Sequence, residues 1–434
     1  MTDLPLERRT LPPFARRFLA TEAAGGVVLV IAAVVALVWA NSPWRDTYQT
    51  LWHTHVDLRV GAFGFRGDLH HAVNDGLMAI FFLVVGLEIK RELITGDLRD
   101  PRVAALPAFA ALGGMIVPAG VYLVFNAGGP GADGWGIPMA TDIAFAVGVL
   151  ALLGSRVPAS LKLFLLSLAI VDDVGAIVVI AIFYTAALDL VALAIAGAAV
   201  VGAVVLRATR VHWMPVYVAL GAVCWLATLE SGIHATIAGV VFGLLAPARP
   251  IAPAELAREW TLDLSDEPTA DEMRTLAVIA NESVSPAERV EHLLHPLTSF
   301  VIVPLFALAN AGVEIRAGAF DAPGATAVAF GVGLGLVVGK LVGVFAATWL
   351  AVRAGVASLP SGVTWAAVAG VAAVAGIGFT VSLFVTGLAF DDPALADAAK
   401  LAILAASVAA AVVGAAMLMR VGEHTPSSPA PDRS

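Results

Sequence analysis

Long apolar runs, broken at short polar intervals, dominate the chain from residue 19 to residue 419. A helix crossing a bilayer core needs roughly 20 apolar residues. Twelve runs approach that length: 19–41, 72–92, 102–124, 134–153, 159–185, 190–207, 213–228, 232–247, 287–311, 328–351, 364–389 and 396–419. The seventh and eighth are short and separated only by Leu229-Glu230-Ser231, which keeps eleven or thirteen crossings open. The first run follows Arg8, Arg9, Arg16 and Arg17, as in a signal peptide. It is too long for one, and Ala40-Asn41-Ser42-Pro43 is a poor cleavage site, so it reads as a retained helix. The pattern predicts an all-α integral membrane protein of about twelve helices.

Three stretches break the pattern. Residues 55–65 alternate apolar with polar or glycine, a weak β-hairpin signal in a loop. The acidic segment 248–286 holds one amphipathic turn around Asp271–Ile279. The tail beyond Glu423 is rich in proline and serine and is expected to be disordered.

Composition agrees with a lipid-embedded chain. Of 434 residues 59% are hydrophobic and 14% charged, whereas soluble domains run near 45–50% and about 25%. The single cysteine, Cys224, excludes an internal disulfide and a Cys-based metal site. A net charge of −9 argues against a nucleic-acid partner. With twelve crossings both termini share a side. Of the 25 lysines and arginines only Arg45, Arg59, Arg66, Arg316 and Lys400 fall opposite, and Lys340 lies within a run. Positive charge marks the cytoplasmic face, so both termini are expected there.

An ionisable group at the bilayer centre costs about 2.5–3.5 kcal/mol, so the polar residues inside the runs invite explanation. Asp172 and Asp173 are adjacent in the middle of the fifth run. Helical neighbours point about 100° apart; one can face a water-filled cavity while the other reaches a neighbouring helix. A structural ion pair accounts for one such carboxylate, not for two in series. Lys340 needs a carboxylate partner or loses its proton. A salt bridge locking two helices is its plainer role, and one that opens during turnover is also a proton site. The run Gly339-Lys340-Leu341 imitates a phosphate loop but lacks the required Ser/Thr and the earlier glycine.

Pro138, just before Thr141-Asp142, predicts a break in the fourth run, and Gly370, Gly376 and Gly378 predict one in the eleventh. Each is the middle run of a group of three, 102–185 and 328–419. Interrupted segments in corresponding positions of two halves point to a transporter's binding site. Exposed carbonyls there can bind cations, and Asp142 can offset a helix dipole. Asp75, at the start of the second run, has helix capping as its plain alternative. Glu88, Lys90, Arg91 and Glu92 end that run, where snorkelling charges are the ordinary reading. His234 and the cluster Glu291-His292-Leu293-Leu294-His295 could sense pH, with a plain interfacial histidine as the rival. His292 and His295 lack further ligands for zinc.

Together these residues resemble the NhaA family of sodium/proton antiporters. The stretches that carry the resemblance are Asn74 to Leu93, Ala140-Thr141-Asp142-Ile143-Ala144-Phe145-Ala146, Val171 to Ile177, Gly232 to Gly239, Leu294-His295-Pro296, Pro304 to Gly312, Gly339-Lys340 and Gly376 to Thr380. They span residues 20–420; segment 248–286 looks longer than the family's usual connection. The resemblance implies inverted repeats with helices 4 and 11 discontinuous. It implies Asp173 as main cation ligand and proton carrier, Asp172 beside it paired with Lys340, and Thr141 and Asp142 lining the crossing of the broken helices. Glu88, Glu92, Glu291 and His295 match positions implicated in pH activation. The hairpin 55–65 resembles a dimer-forming one. The Asp-Asp-Lys pattern is that of electrogenic exchangers; electroneutral relatives carry Asn-Asp.

The implied organisation is a tail (1–18), helices 1–2 with the external hairpin (19–101), core repeat 1 (102–185), helices 6–9 with the acidic loop (186–327), core repeat 2 (328–420) and a tail (421–434). The expected protein is no enzyme and uses no cofactor; it sits in the bacterial plasma membrane. Sodium and protons compete for the same carboxylates, and alternating access turns that competition into exchange. The exchanger is expected to be silent in acid and active in alkali, expelling Na+ or Li+ against H+. The rival is a proton-coupled symporter of a small organic solute, which should show more polar or aromatic cavity residues. An intramembrane aspartyl protease would need its aspartates on separate helices, and a passive channel would move sodium without protons.

Overall fold

A computed structural model of the chain describes residues 13–423 apart from 61–62, 186–187, 210, 212, 251–252, 254–258, 260–268, 317 and 361. Residues 1–12 and 424–434 of the predicted tails, much of the acidic segment and the hairpin tip lie outside the described residues.

Among the described residues the order is α1 (Pro13–Ala40), α2 (Arg45–Trp52), β1 (His55–Val60), β2 (Phe63–Asp68), α3 (Leu69–Ile94), α4 (Pro101–Asn126), a 3-10 turn (Ala132–Met139), α5 (Ile143–Leu152), α6 (Ala159–Phe183), α7 (Leu190–Ala208), α8 (Met214–Glu230), α9 (Thr236–Leu245), α10 (Ala270–Glu282), α11 (Pro286–Asn310), α12 (Ala325–Arg353), α13 (Trp365–Val374), α14 (Phe379–Ala389) and α15 (Pro393–Glu423). Every predicted run is matched by a helix or a broken helix. Eight spans are long and apolar enough to cross alone, and up to ten if each bent pair of helices counts as one. At ten residues α9 reaches only about 15 Å, half of a core about 30 Å thick. The short α2, turned 116° from the end of α1, has no counterpart in the predicted runs.

Local chemistry explains several helix ends. Ser285 accepts from the Glu288 N–H, with Pro286 in the first turn of α11. Asp189 accepts from the N–H groups of Val191 and Ala192 and starts α7. The hairpin pairs His55 with Asp68 through to Val60 with Phe63, so it runs three residues beyond the predicted end. Large apolar side chains stand exposed on the helix faces, among them Val38 on α1, Ile116 and Val124 on α4, Ile182 on α6 and Val412 on α15. In water this would be a liability; in lipid it is the expected outer surface.

The chain forms two compact units. The first holds residues 1–51, 101–180 and 304–434. Here α4 and α12 meet backbone to backbone, a Cβ on Gly113 colliding with the Gly343 carbonyl and one on Gly339 with Pro118. Likewise Gly26 of α1 lies against the carbonyl of Ala144 in α5. The second unit holds residues 52–100 and 181–303, including the hairpin and α7–α10. In it Gly86 of α3 packs on Val240 and Gly243 of α9.

Among the described residues three spans contain a single π-helical turn, in which the N–H reaches five residues back: Met78 to Val73, Val303 to Thr298, and Lys340 to Gly335. Such turns carry one surplus residue and recur at functional sites.

Candidate functional site

The site is built where two helices of the first unit fail. After the 3-10 turn, Ala140 and Asp142 are extended, with Thr141 non-helical between them, before α5 begins. Between α13 and α14 the backbone turns through Ala375–Gly378, bending by 47°. Each piece is 8 to 11 residues long, about half of a crossing, so both breaks fall near mid-span.

Each break leaves orphan amides and carbonyls, and the two satisfy one another. The Asp142 N–H donates to the Ile377 carbonyl at 2.7 Å, and the Thr141 hydroxyl to the Ala375 carbonyl at 2.8 Å. The Asp142 carboxylate serves both helix N-termini. Oδ1 accepts from the Phe145 N–H of α5 at 2.9 Å. Oδ2 accepts from the Thr380 N–H and hydroxyl of α14 at 3.0 and 2.6 Å. Ser382 adds a bond to the Ile137 carbonyl. One buried carboxylate thus offsets two positive helix ends.

Mid-way along α6, Asp172 and Asp173 are both buried. Lys340 donates to Asp172 Oδ2 at 2.7 Å, with neither side chain exposed. Thr141 lies beside the same carboxylate, its hydroxyl given to the Ala375 carbonyl. Asp173 points elsewhere on the helix and has no hydrogen-bond or ion-pair partner among the described residues. It feels the charges of Asp172, Asp142 and Lys340. The π-turn ending at Gly339 delivers Lys340, whose stem lies against Gly114. Chemically this is a buried cluster of hard oxygens that holds, among the described residues, the Lys340 cation, and it is able to take up a proton or a small desolvated cation.

The structure therefore brings Asp172, Asp173, Lys340, Thr141 and Asp142 together. The other candidates belong to the second unit. Arg91 and Glu291 form an ion pair with both side chains nearly covered, Glu92 sits beside them at 3.4 Å from Arg91, and His295 is buried close by. Glu88 is buried too, so the end of α3 is an internal charge network rather than a snorkelling rim. His234 contacts the Tyr184 carbonyl at 2.5 Å. Asp75 does not cap its helix: Asp68 does, accepting from the His71 N–H. Asp75 instead lies inside the π-turn Ala72–Leu77, its carbonyl bonded to Trp225. Sequence reasoning did not single out Thr380, Ser382 or the pairing role of Arg91. Thr380 could have been found from its place in the first turn after a glycine break.

An all-helical membrane protein with two broken helices crossing at buried carboxylates belongs to the class of ion-coupled secondary transporters. Residues 16–418 match the family model described as Na+/H+ antiporter 1. The chain is 50% identical to the Na(+)/H(+) antiporter NhaA of Rhodopirellula baltica, covering 96% of this chain and 97% of that one. It is 48% identical to Na(+)/H(+) antiporter NhaA 3 of Frankia alni (95% and 90% covered) and 47% identical to the NhaA of Oleidesulfovibrio alaskensis (95% and 94%). The chain belongs to the Na+/H+ antiporter family.

Proposed function

We propose that this chain expels cytoplasmic Na+ or Li+ in exchange for external H+, electrogenically and with activation in alkali. One observation carries the reading: Asp173 is buried without a bonded partner, one residue from the Asp172–Lys340 pair and near the crossing of two broken helices. A carboxylate left without donors inside a membrane is stable when it holds a proton or a cation. Asp173 is the main ligand and proton carrier, with Asp172 and Thr141 completing the oxygen set. Lys340 holds Asp172 until a cation replaces it. Asp142 fixes the crossing and does not turn over.

Competition between H+ and Na+ for Asp173 accounts for silence in acid. We assign pH response to Glu88, Glu92, Glu291, His295 and His234, with Asp75 as a further candidate; the closed Arg91–Glu291 pair beside Glu92 and His295 supports the first group. Helices 3–5 (102–185) and 10–12 (328–420) are the transport repeats. Both termini are cytoplasmic in a bacterial plasma membrane, and hairpin 55–65 joins two copies into a dimer.

The test is collapse of a proton gradient on adding Na+ to everted vesicles from a host lacking its own antiporters, at pH 6.5 and 8.5. Sodium-dependent proton release at alkaline pH, absent in Asp173→Asn, is expected. No response to Na+ or Li+ at either pH, with protein in the membrane, refutes the reading and leaves the solute symporter.

A further inference from the structure

Four side chains outside the transport site converge at the foot of the hairpin. Asp68 ends β2 and caps α3, His70 and His71 lie in the first turn of α3, and His53 follows α2. Asp68 Oδ1 is 2.7 Å from His71 Nδ1, and Oδ2 is 2.9 Å from His53 Nδ1. Ligand atoms of Asp68, His70 and His71 all lie within 4.8 Å of one another. His70 Nδ1 is 3.4 Å from the Asn74 amide. The Asp68 carboxylate is mostly covered, whereas the His53 and His71 rings are largely exposed and open to an incoming ion.

We infer that Asp68, His70 and His71 form a site for a divalent transition metal of the zinc class. Two imidazoles and one carboxylate suit Zn2+, Ni2+ or Cu2+; Mg2+ and Ca2+ prefer all-oxygen sets. The backbone has already done the positioning. Asp68 is fixed by its cap bond to the His71 N–H, and strand end and helix start bring the three residues together within four positions. Rotation of the two rings then closes the set on an ion with Zn–N near 2.0–2.1 Å. The ion takes the place of the hydrogen bond that joins Asp68 Oδ1 and His71 Nδ1, and His53 keeps the other carboxylate oxygen in line, as outer partners do. A solvent position stays open.

The test uses the full-length protein, metal-stripped and free of any affinity tag, titrated calorimetrically with ZnCl2 and separately with MgCl2. One zinc per chain is expected, with no matching heat from magnesium. Affinity should fall about tenfold or more in His70→Gln and His71→Gln, and also in Asp68→Asn, whose side-chain oxygen still caps α3. Each variant is first checked for sodium-driven proton release, so that loss of zinc is separated from loss of fold. His70→Gln leaves both Asp68–histidine bonds intact and carries the test if the others misfold. Absence of zinc heat in the wild type, or binding unchanged in both histidine variants, overturns the assignment.

Discussion

Removing Lys340 should expose how much the buried pair holds together. At 2.7 Å, with both side chains fully covered, the Coulomb attraction is about 6 kcal/mol at an effective dielectric of 20. Much of that is offset by withdrawing both ions from water, so an intact buried pair adds little to stability. Breaking it is another matter, because Lys340→Met leaves the Asp172 carboxylate fully buried without its cation, while the hydroxyl of Thr141 beside it is already given to the Ala375 carbonyl. The expected loss is about 3–5 kcal/mol. The double variant Asp172→Asn/Lys340→Met removes both charges and should recover most of it. Thermal unfolding in detergent of the wild type, both single variants and the double closes the cycle. If Lys340→Met melts with the wild type, or the double variant is no better than that single one, the pair is not what joins α6 to α12 and the argument fails.

Asp142→Ala uncaps α5 and α14 at once and should destabilise by about 1–4 kcal/mol, at roughly 0.5–2 per cap; Asp142→Asn, whose single oxygen can serve only one of the two helix ends, should fall between it and the wild type in denaturation. Asp68 is pushed upward by burial, yet the bonds from the His71 N–H and from the His53 and His71 rings outweigh this and hold its carboxyl well below the usual range. A depressed carboxylate stabilises the fold above its unfolded pKa of about 4 and loses that contribution as pH falls through the folded value. The melting gap between wild type and Asp68→Asn, measured with chelator from pH 5 to 3, should therefore narrow below about pH 4; a gap that widens as pH falls through that range contradicts the assignment. Gly113→Ala pushes a methyl into the Gly343 carbonyl and should cost about 1–3 kcal/mol. Gly197→Ala, with nothing nearby, should gain up to about 1 kcal/mol; equal effects on melting temperature would contradict the packing described.

The parts of this molecule that were legible in the sequence follow from the solvent. Apolar run length yields the spans, and Pro138 and Gly376-Ile377-Gly378 yield the two breaks, because lipid leaves no other way to satisfy a backbone. The expense of a membrane charge singled out Asp172, Asp173 and Lys340. What escaped has no such signature. That Asp142 caps two helices depends on which break meets which, a fact of the fold rather than of local pattern. The conversion of Arg91 from a rim charge to a partner of Glu291 depends on a residue 200 positions away. The helix α2 is too short and polar to register against the long runs around it.

The π-turn at Gly335–Gly339 has a bearing on how this chain can change length. Its surplus residue sets the azimuth of everything that follows in α12, starting with Lys340. Deleting one residue there would restore ordinary i to i−4 pairing and leave a sound helix. It would also swing Lys340 by about 100° and draw it back about 1.5 Å, off the Asp172 carboxylate. A change that tidies the backbone would thereby disconnect the charge. Insertions and deletions in this helix before Lys340 should be tolerated only where a compensating one, also on the N-terminal side of Lys340, restores its facing.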